Sequence, residues 1–299
     1  MPGKVFVVIP TFRPAPDVVV LASQLAAEWP TIVVDDASPP DSAGCLADLE
    51  GLAGLILLRS AENRGIAAAL NRGFEHALSL GALVVITFDQ DSTPARDHVG
   101  RVASALTARE HATLAVVGPG RTDGHWAQRG MRVSDGLVEV PWLIQSGSGM
   151  RAATFRAVGA FAEEFVIDHV DTEYCLRARR LGLVNAVLAD LDMGHRLGSD
   201  QHRVVRLFGR SVRATFHSPT RRYYIARNYV HLVRRYGATE ARWVSRSLPG
   251  IIAFNLVAIL LEDDRPAKFR AVFRGVLDGL MGRVGPQRGG DRRAVPGRG

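Results

Sequence analysis

The residues best suited to chemistry are carboxylates that follow short apolar runs. Leu83-Val84-Val85-Ile86-Thr87-Phe88 leads into Asp89-Gln90-Asp91-Ser92. Two carboxylates at the mouth of a buried strand cost desolvation energy unless they meet a cation, and hard oxygen donors of this kind suit Mg2+ or Mn2+ bridging phosphates. An Asp-x-Asp pair also occurs on solvated turns; its place after a long apolar strand favours the metal. Thr31 to Val34 lead into Asp35-Asp36-Ala37-Ser38. There Asp36 can accept a hydrogen bond from a base N–H or a ribose hydroxyl, or Asp36 or Ser38 can cap a helix. The first run ends in Pro10-Thr11-Phe12-Arg13-Pro14, without the glycine-rich turn that brings a helix to a pyrophosphate, which argues against a nicotinamide or flavin dehydrogenase. Ser146-Gly147-Ser148-Gly149 is not a nucleophile elbow, because Ile144 stands where that motif needs glycine; it reads as backbone that lets a donor approach. Arg221, Arg222 and Arg227 share a helical pattern with Tyr223 and Tyr224, either as a solvated basic face or as contacts to phosphate.

The elements that position these residues alternate. Strands are predicted at Val5 to Ile9, Thr31 to Val34, Leu55 to Leu58, Leu83 to Phe88 and Leu114 to Val117, with helices such as Val18 to Glu28 and Ala67 to Leu80 between them. This is the pattern of an α/β fold with a mostly parallel sheet flanked by helices, whose ligands bind beyond the carboxyl ends of the strands. A second half opens with a strand at Val140 to Ile144 and continues with helices near Arg151 to Ala157 and Thr172 to Leu181. Helices follow at Arg221 to Tyr236, Glu240 to Leu261 and Pro266 to Met281. The expected organisation is a catalytic domain over residues 1–219, with a nucleotide-binding half at 1–118 and an acceptor half at 119–219. A helical C-terminal extension over 220–281 and a disordered basic tail over 282–299 complete the chain.

Charge follows the same division. Through residue 200 there are 17 Lys/Arg against 24 Asp/Glu, and beyond it 20 against 6, so a catalytic body carries a basic end. Nucleic acid is not the expected partner, because the aromatics after Tyr236 (Trp243, Phe254, Phe269 and Phe273) fall inside helical patterns and are not interleaved for base stacking. The run Gly250 to Leu261 is shorter than the roughly 20 apolar residues a span requires. With Arg242, Arg246, Lys268, Arg270 and Arg274 around it, the region is expected to lie on an anionic membrane surface, or else to pack on the catalytic domain or on a second copy in a homo-oligomer. Two cysteines and a start without a signal-peptide pattern point to the cytoplasm, with peripheral attachment at the inner face of the cell membrane.

Taken together, Ile9-Pro10-Thr11-Phe12, Val34-Asp35-Asp36-Ala37-Ser38, Asn63-Arg64-Gly65 and Phe88-Asp89-Gln90-Asp91-Ser92 resemble family 2 glycosyltransferases with the Rossmann-like GT-A fold. The likeness extends through Phe161 and Asp168-His169-Val170-Asp171-Thr172-Glu173 to His195-Arg196-Leu197-Gly198, covering nearly all of residues 4–230. It implies a nucleotide-diphosphate sugar donor and a divalent metal, Mn2+ or Mg2+. It implies that Pro10, Thr11, Phe12, Arg13 and Asp36 hold the nucleoside, that Asn63, Arg64 and Gly65 approach base or ribose, and that Ser146 and Gly147 border the donor. Asp91 would reach the metal, Asp89 would support it or the ribose, and Gln90 would border the donor; His195 would complete the metal site or serve as a structural histidine. Asp171 would be the general base of an inverting transfer. Its alternatives are a helix cap or a partner for Arg177, and Asp168, one helical turn away, is its rival. Asp168, His169 and Arg222 would meet the acceptor, a polysaccharide or lipid-linked saccharide hydroxyl.

The acidic motif departs from the family's commoner Glu-Asp form, since Val170 stands where the glutamate would be. With Asp89-Gln90-Asp91-Ser92 and Arg221-Arg222-Tyr223-Tyr224-Ile225-Ala226-Arg227-Asn228, this version looks like the rhamnosyltransferase branch and implies dTDP-rhamnose; another donor such as UDP-galactofuranose stays open. A nucleotidyltransferase would show a glycine-rich phosphate loop near the first strand, and there is none.

Overall fold

The computed structural model describes residues 4–126, 131–134, 136–195, 202–207, 210–215 and 217–287. The chain divides into two compact units, one of residues 1–163 and 170–196, the other of residues 164–169 and 197–299.

The first unit holds the sheet. Its strands are β1 (Val5–Thr11), β2 (Thr31–Asp35), β3 (Leu55–Arg59), β4 (Val84–Thr87), β5 (Ser92–Pro94), β6 (Leu114–Thr122), β7 (His125–Trp126), β8 (Met131–Ser134), β9 (Leu137–Glu139), β10 (Ser148–Arg151) and β11 (Val184–His195). The order is β3-β2-β1-β4-β10-β6-β11-β9-β8, with β5 paired to β11 and β7 to β6. The first four strands are parallel to one another. All seven residues of β1 are buried, and a continuous apolar run of this kind marks a strand covered on both faces. The helices are α1 (Asp17–Ala26), α2 (Ala43–Glu50), α3 (Ile66–Ser79), α4 (His98–Thr107), α5 (Ala152–Val158) and α6 (Val170–Arg180). On α1 the buried residues Val18, Leu21, Ala22 and Leu25 follow the spacing of a single helical face. Each such aliphatic side chain contributes about 1.5–3 kcal/mol when fully buried.

The α/β class and the parallel first half match expectation, but the expected strand at Val140 to Ile144 does not form. Pro141 has no N–H to give a ladder, and Val140 makes a single backbone bond, its N–H donating to the Asn185 carbonyl (2.9 Å). The run is apolar because Val140 and Leu143 are core side chains. The strand at this place is β10, which runs antiparallel to β4 with Ser148 opposite Thr87.

The second unit holds α7 (Pro219–Tyr236), α8 (Ala241–Leu261) and α9 (Arg265–Leu280), with a two-stranded hairpin of β12 (His202–Leu207) and β13 (Arg210–Thr215) that the apolar pattern did not reveal. Ser218 caps α7, its hydroxyl accepting from the Arg221 N–H (3.3 Å), and Pro219 opens the first turn. Gly275 and Gly279 bring α9 against the α7 backbone; a methyl on Gly279 would sit 2.9 Å from the Arg227 carbonyl oxygen. Glu262 is buried between Arg222 and Lys268, 2.7 Å from the Lys268 ammonium.

Two expectations about the C-terminal region change here. Residues 283–287 are held by hydrogen bonds: the Gly285 N–H donates to the Glu164 carbonyl and the Gln287 N–H to the Tyr224 hydroxyl, each at 2.9 Å. Residues 288–299 of the expected disordered tail lie outside the described residues. In addition, the apolar run near residue 250 belongs to a helix of 21 residues, whose Ala241–Leu260 window has a mean hydropathy of 1.5 and is long enough to cross a membrane.

Candidate active site

The carboxyl ends of β1, β2 and β4 lie side by side, since Thr11 is registered with Asp35 and Val8 with both Ile32 and Thr87. Side chains lace the loops beyond these ends. Gln90 accepts through Oε1 from the Thr11 hydroxyl (2.5 Å) and from the Phe12 N–H (3.1 Å), joining the Asp-Gln-Asp turn to the end of β1. The Ser38 hydroxyl accepts from the Arg13 N–H (2.8 Å), joining β1 to β2. Asp36 accepts from the N–H groups of Arg64 (2.9 Å) and Gly65 (2.7 Å), joining β2 to the start of α3. Four sequence motifs, separated by as many as 79 positions, thus form one hydrogen-bonded rim.

The backbone of this rim is strained in a way that fits a binding loop. Arg13 (φ 51°) and Ala37 (φ 58°) hold left-handed conformations without being glycine, at a cost on the order of 1–3 kcal/mol each. Gly65 (φ 90°) supplies the turn that leads into α3, and its N–H and that of Arg64, just before the helix, meet Asp36. Asp36 therefore caps no helix: it holds the two residues just before α3, and the segments that follow it start at Pro39 and Ser42 without its side chain. Only 5% of Asp36 is exposed. Burial pushes its carboxyl up to about 6 from the ordinary 3.8, against the opposing pull of the two N–H bonds.

The Asp-Gln-Asp turn rests on the loop before β10. The Asp89 N–H donates to the Ser146 hydroxyl (2.9 Å), which also bonds the Ser92 hydroxyl (2.6 Å). The Gly147 N–H donates to the Thr87 carbonyl (2.7 Å), and the His98 ring bonds the Gly147 carbonyl oxygen (2.7 Å). Gly147 has φ 74°, and a side chain there would strike Met193 and His98. Ser38 was considered only as a helix cap, and Ser92, His98 and Gln145 were given no role from the sequence; they are ordinary polar residues whose importance appears only through the loops they join.

Asp89 is buried, and Asp91 stands two residues on in the same turn. The backbone of His195 is paired with Ser92, the neighbour of Asp91; its side chain lies outside the described residues. Among the described residues no group of three or more His, Cys, Asp or Glu side chains gathers for a metal. A pair of carboxylates leaving positions for diphosphate oxygens and water is the donor set Mg2+ and Mn2+ accept, so the residues present fit such an ion. The same loops hold polar atoms suited to a ligand: among the described residues, Asn63 Oδ1 and both amide atoms of Gln145 are buried without a hydrogen-bond partner.

Asp171 lies in the first turn of α6, half-buried, with one oxygen accepting from the Thr172 N–H (2.7 Å). A helix N-terminus favours a negative charge at this place. It is not the partner of Arg177, which pairs with Glu173 (2.9 Å) and donates to the carbonyls of Val158 and Ala160.

The remaining expected residues belong to the helical unit. Asp168 is gripped by Arg221, whose Nε reaches both carboxylate oxygens (3.1 and 3.2 Å). Val166, Asp168 and His169 have φ of 65°, 62° and 61°. Asn228 holds this strained segment, donating to the carbonyls of Phe165 (3.0 Å), Ile167 (2.8 Å) and Asp168 (2.9 Å). Arg227 adds a bond to the Glu164 carbonyl (3.0 Å). Arg222, expected at an acceptor, is 1% exposed and engaged by Glu262 and the Phe254 carbonyl. Its charge answers a buried carboxylate, and Arg221 is the arginine of this helix that reaches the acidic motif.

A parallel sheet with this rim at its carboxyl ends is the framework of a nucleotide-sugar glycosyltransferase. Residues 6–158 match the model for glycosyl transferase family 2, and the chain belongs to that family. It is 30% identical over 269 residues to the dTDP-rhamnosyl transferase RfbF of Shigella flexneri, covering 85% of this chain and 87% of that protein. Among solved structures it resembles the mannosyltransferase PcManGT from Pyrobaculum calidifontis, in complex with GDP-Man and Mn2+, with a TM-score of 0.56, 16% identity and coverage of 92% and 76% of the two chains. It also resembles S. aureus TarS 1–349 in complex with UDP-GlcNAc, with a TM-score of 0.52, 16% identity and coverage of 94% and 92%. These likenesses establish the GT-A fold.

Proposed function

We propose that this glycosyltransferase moves L-rhamnose from dTDP-rhamnose to a hydroxyl of a polysaccharide or lipid-linked saccharide, with inversion at the anomeric carbon and with the help of Mn2+ or Mg2+. The observation that carries the reading is the rim in which Gln90, Ser38 and Asp36 tie the ends of β1, β2 and β4 to the start of α3. Similarity to a dTDP-rhamnosyl transferase along 85% of the chain favours rhamnose as the sugar, and a structural relative solved with GDP-Man and Mn2+ favours a divalent ion. The reaction is placed in the cytoplasm, at the inner face of the membrane.

In this mechanism Thr11, Phe12 and Asp36 hold the nucleoside, and Asn63 to Gly65 border the base or ribose. Asp89 and Asp91, with His195, would hold the metal, which when bound would supply positive charge toward the leaving diphosphate. Ser146 and Gly147 shape the wall beside that turn. Asp168 and His169 contact the acceptor. Asp171 takes the proton of the acceptor hydroxyl as its oxygen bonds to the anomeric carbon. The bond from that carbon to the diphosphate oxygen breaks, and the electron pair leaves with dTDP. Asp171 is preferred to Asp168 because Arg221 occupies both oxygens of Asp168.

A thermal-shift panel of nucleotide sugars with and without Mn2+ tests the donor. A ligand that binds only the folded chain raises its apparent stability, by about 2.7 kcal/mol at a hundredfold excess over Kd. dTDP-rhamnose should give the largest metal-dependent shift. A larger shift with UDP-galactofuranose would reassign the sugar, and no shift with any donor would end the reading.

A further inference from the structure

We propose that α8 and α9 form an in-plane docking surface for an anionic phospholipid bilayer. The proposal deepens the placement of the reaction at a membrane, on which it rests, by assigning the surface and its mode of attachment.

One face of α8 is committed to the helical unit. Trp243 and Ala258 are buried, Ser247 bonds the Tyr229 hydroxyl (3.0 Å), and Glu262, just past the helix, is enclosed by Arg222 and Lys268. The opposite face is apolar and open: Leu248, Ile252, Leu256 and Leu260 follow one another at four-residue spacing and are 41–60% exposed. The same division holds on α9. Ala271, Gly275 and Gly279 are buried, with Gly275 and Gly279 against α7, and Phe269, Phe273, Leu277 and Leu280 are exposed. Two neighbouring helices with open apolar rows exceed what isolated surface hydrophobics explain.

Charge decides between occupants. Arg242 and Arg246 stand at the start of the α8 row, Arg270 and Arg274 within α9, and all four are exposed. From Ala241 to the end of the chain there are 11 Lys/Arg against 5 Asp/Glu. A two-fold pairing of this face with a second copy would bring like-charged rims together. An anionic lipid surface meets the arginines and admits the apolar rows, as for other interfacial helices. A cleft of about 400 Å³ at the end of α9 is lined by Arg274, Asp278 and Arg283 beside Leu277, Met281 and Val284; Arg283 is paired there with Asp278 (2.8 Å).

Length and composition would let α8 span a bilayer, with 11% of that window buried, but the particular contacts it makes argue against crossing. Crossing would strip Trp243, Ser247 and Phe254 from α7, and it would pull Glu262 from its two cations, leaving buried charges unpaired.

The test is co-sedimentation of the full chain with vesicles of phosphatidylcholine alone and of equal parts phosphatidylcholine and phosphatidylglycerol. The comparison is with Ile252→Glu/Leu256→Glu and with Arg242→Ala/Arg246→Ala. The wild-type chain should bind the mixed vesicles and not the neutral ones. The Glu variant should bind on the order of tenfold more weakly or worse, because two half-exposed aliphatic anchors are lost, with an unchanged melting temperature and unchanged donor binding. The Ala variant should lose the preference for anionic lipid. Absence of binding to anionic vesicles, or wild-type binding by the Glu variant, would overturn the proposal. So would a wild-type dimer that the Glu variant converts to monomer, since a second copy would then cover the face. Vesicle binding does not depend on transfer, so loss of the donor reading leaves this result interpretable.

Discussion

Asp36→Asn probes the rim at a buried charge. In the folded chain the Asp36 carboxyl is pushed up to about 6 from 3.8, chiefly by burial. The folded state therefore holds this proton more tightly than the unfolded state. The associated stability is fully present below pH 3.8 and is lost as pH rises through about 6. The difference corresponds to about 3 kcal/mol. The asparagine has no proton to lose at this site, so the stability of the variant relative to wild type should improve by about that amount between pH 4 and pH 7.5. A constant loss is superimposed, because an amide can accept one of the two N–H bonds from Arg64 and Gly65 and must turn its NH2 toward the other, a penalty of about 1–3 kcal/mol. Near neutral pH the two effects nearly cancel, and the variant should be close to wild type in urea unfolding. Donor binding should behave differently. If the ionised carboxylate also receives the nucleoside, wild-type affinity falls as pH drops below about 6, and the variant binds weakly without that pH dependence. A stability difference that stays constant from pH 4 to pH 7.5 would refute the burial argument.

Other perturbations separate the two units. Asn228→Ala removes three bonds to the strained segment before α6; the expected loss is about 1–3 kcal/mol in chemical denaturation, with kcat reduced more than donor affinity. Glu262→Gln leaves Arg222 and Lys268 with one neutral partner in place of a buried carboxylate, and urea unfolding should record a loss of about 3–5 kcal/mol. Replacing all three by apolar residues of similar volume should recover most of it. Asp91→Ala should abolish the Mn2+-dependent part of donor binding in a titration while leaving the melting temperature of the ligand-free chain unchanged; retained metal-dependent turnover would remove Asp91 from the metal site.

The first half of the sheet was legible because β1, β2 and β4 are buried, and burial writes itself as uninterrupted β-branched runs. The same signal failed at Val140 to Ile144, where the side chains are core but Pro141 forbids pairing. It also missed β12 and β13, whose arginines interrupt any apolar pattern. Motif spacing located Thr11, Asp36, Gln90 and Asp91, but it could not give the direction of their bonds: Asp36 reaches the start of α3, and Gln90 reaches back to β1. Arg222 and Arg221 are adjacent arginines on one helix, and composition does not tell them apart. A buried carboxylate 40 residues later claims Arg222, and a half-buried one 53 residues earlier claims Arg221. Asn228 closed a motif of the resemblance, but its role was not legible, because its partners are carbonyls of a segment whose backbone strain is visible only in three dimensions.

In the proposed mechanism Asp171 removes the acceptor proton in a single inverting displacement. This step is tested most directly by single-turnover transfer from dTDP-rhamnose with Asp171→Asn and Asp168→Asn, alongside donor titrations and the anomeric configuration of the product by NMR. The account expects Asp171→Asn to bind donor normally and to lose about 10² to 10⁴ in rate. Asp168→Asn should chiefly weaken acceptor binding, since its carboxylate is already held by Arg221, and the product should be inverted. Transfer that survives Asp171→Asn and disappears in Asp168→Asn, or a product with retained configuration, would contradict it.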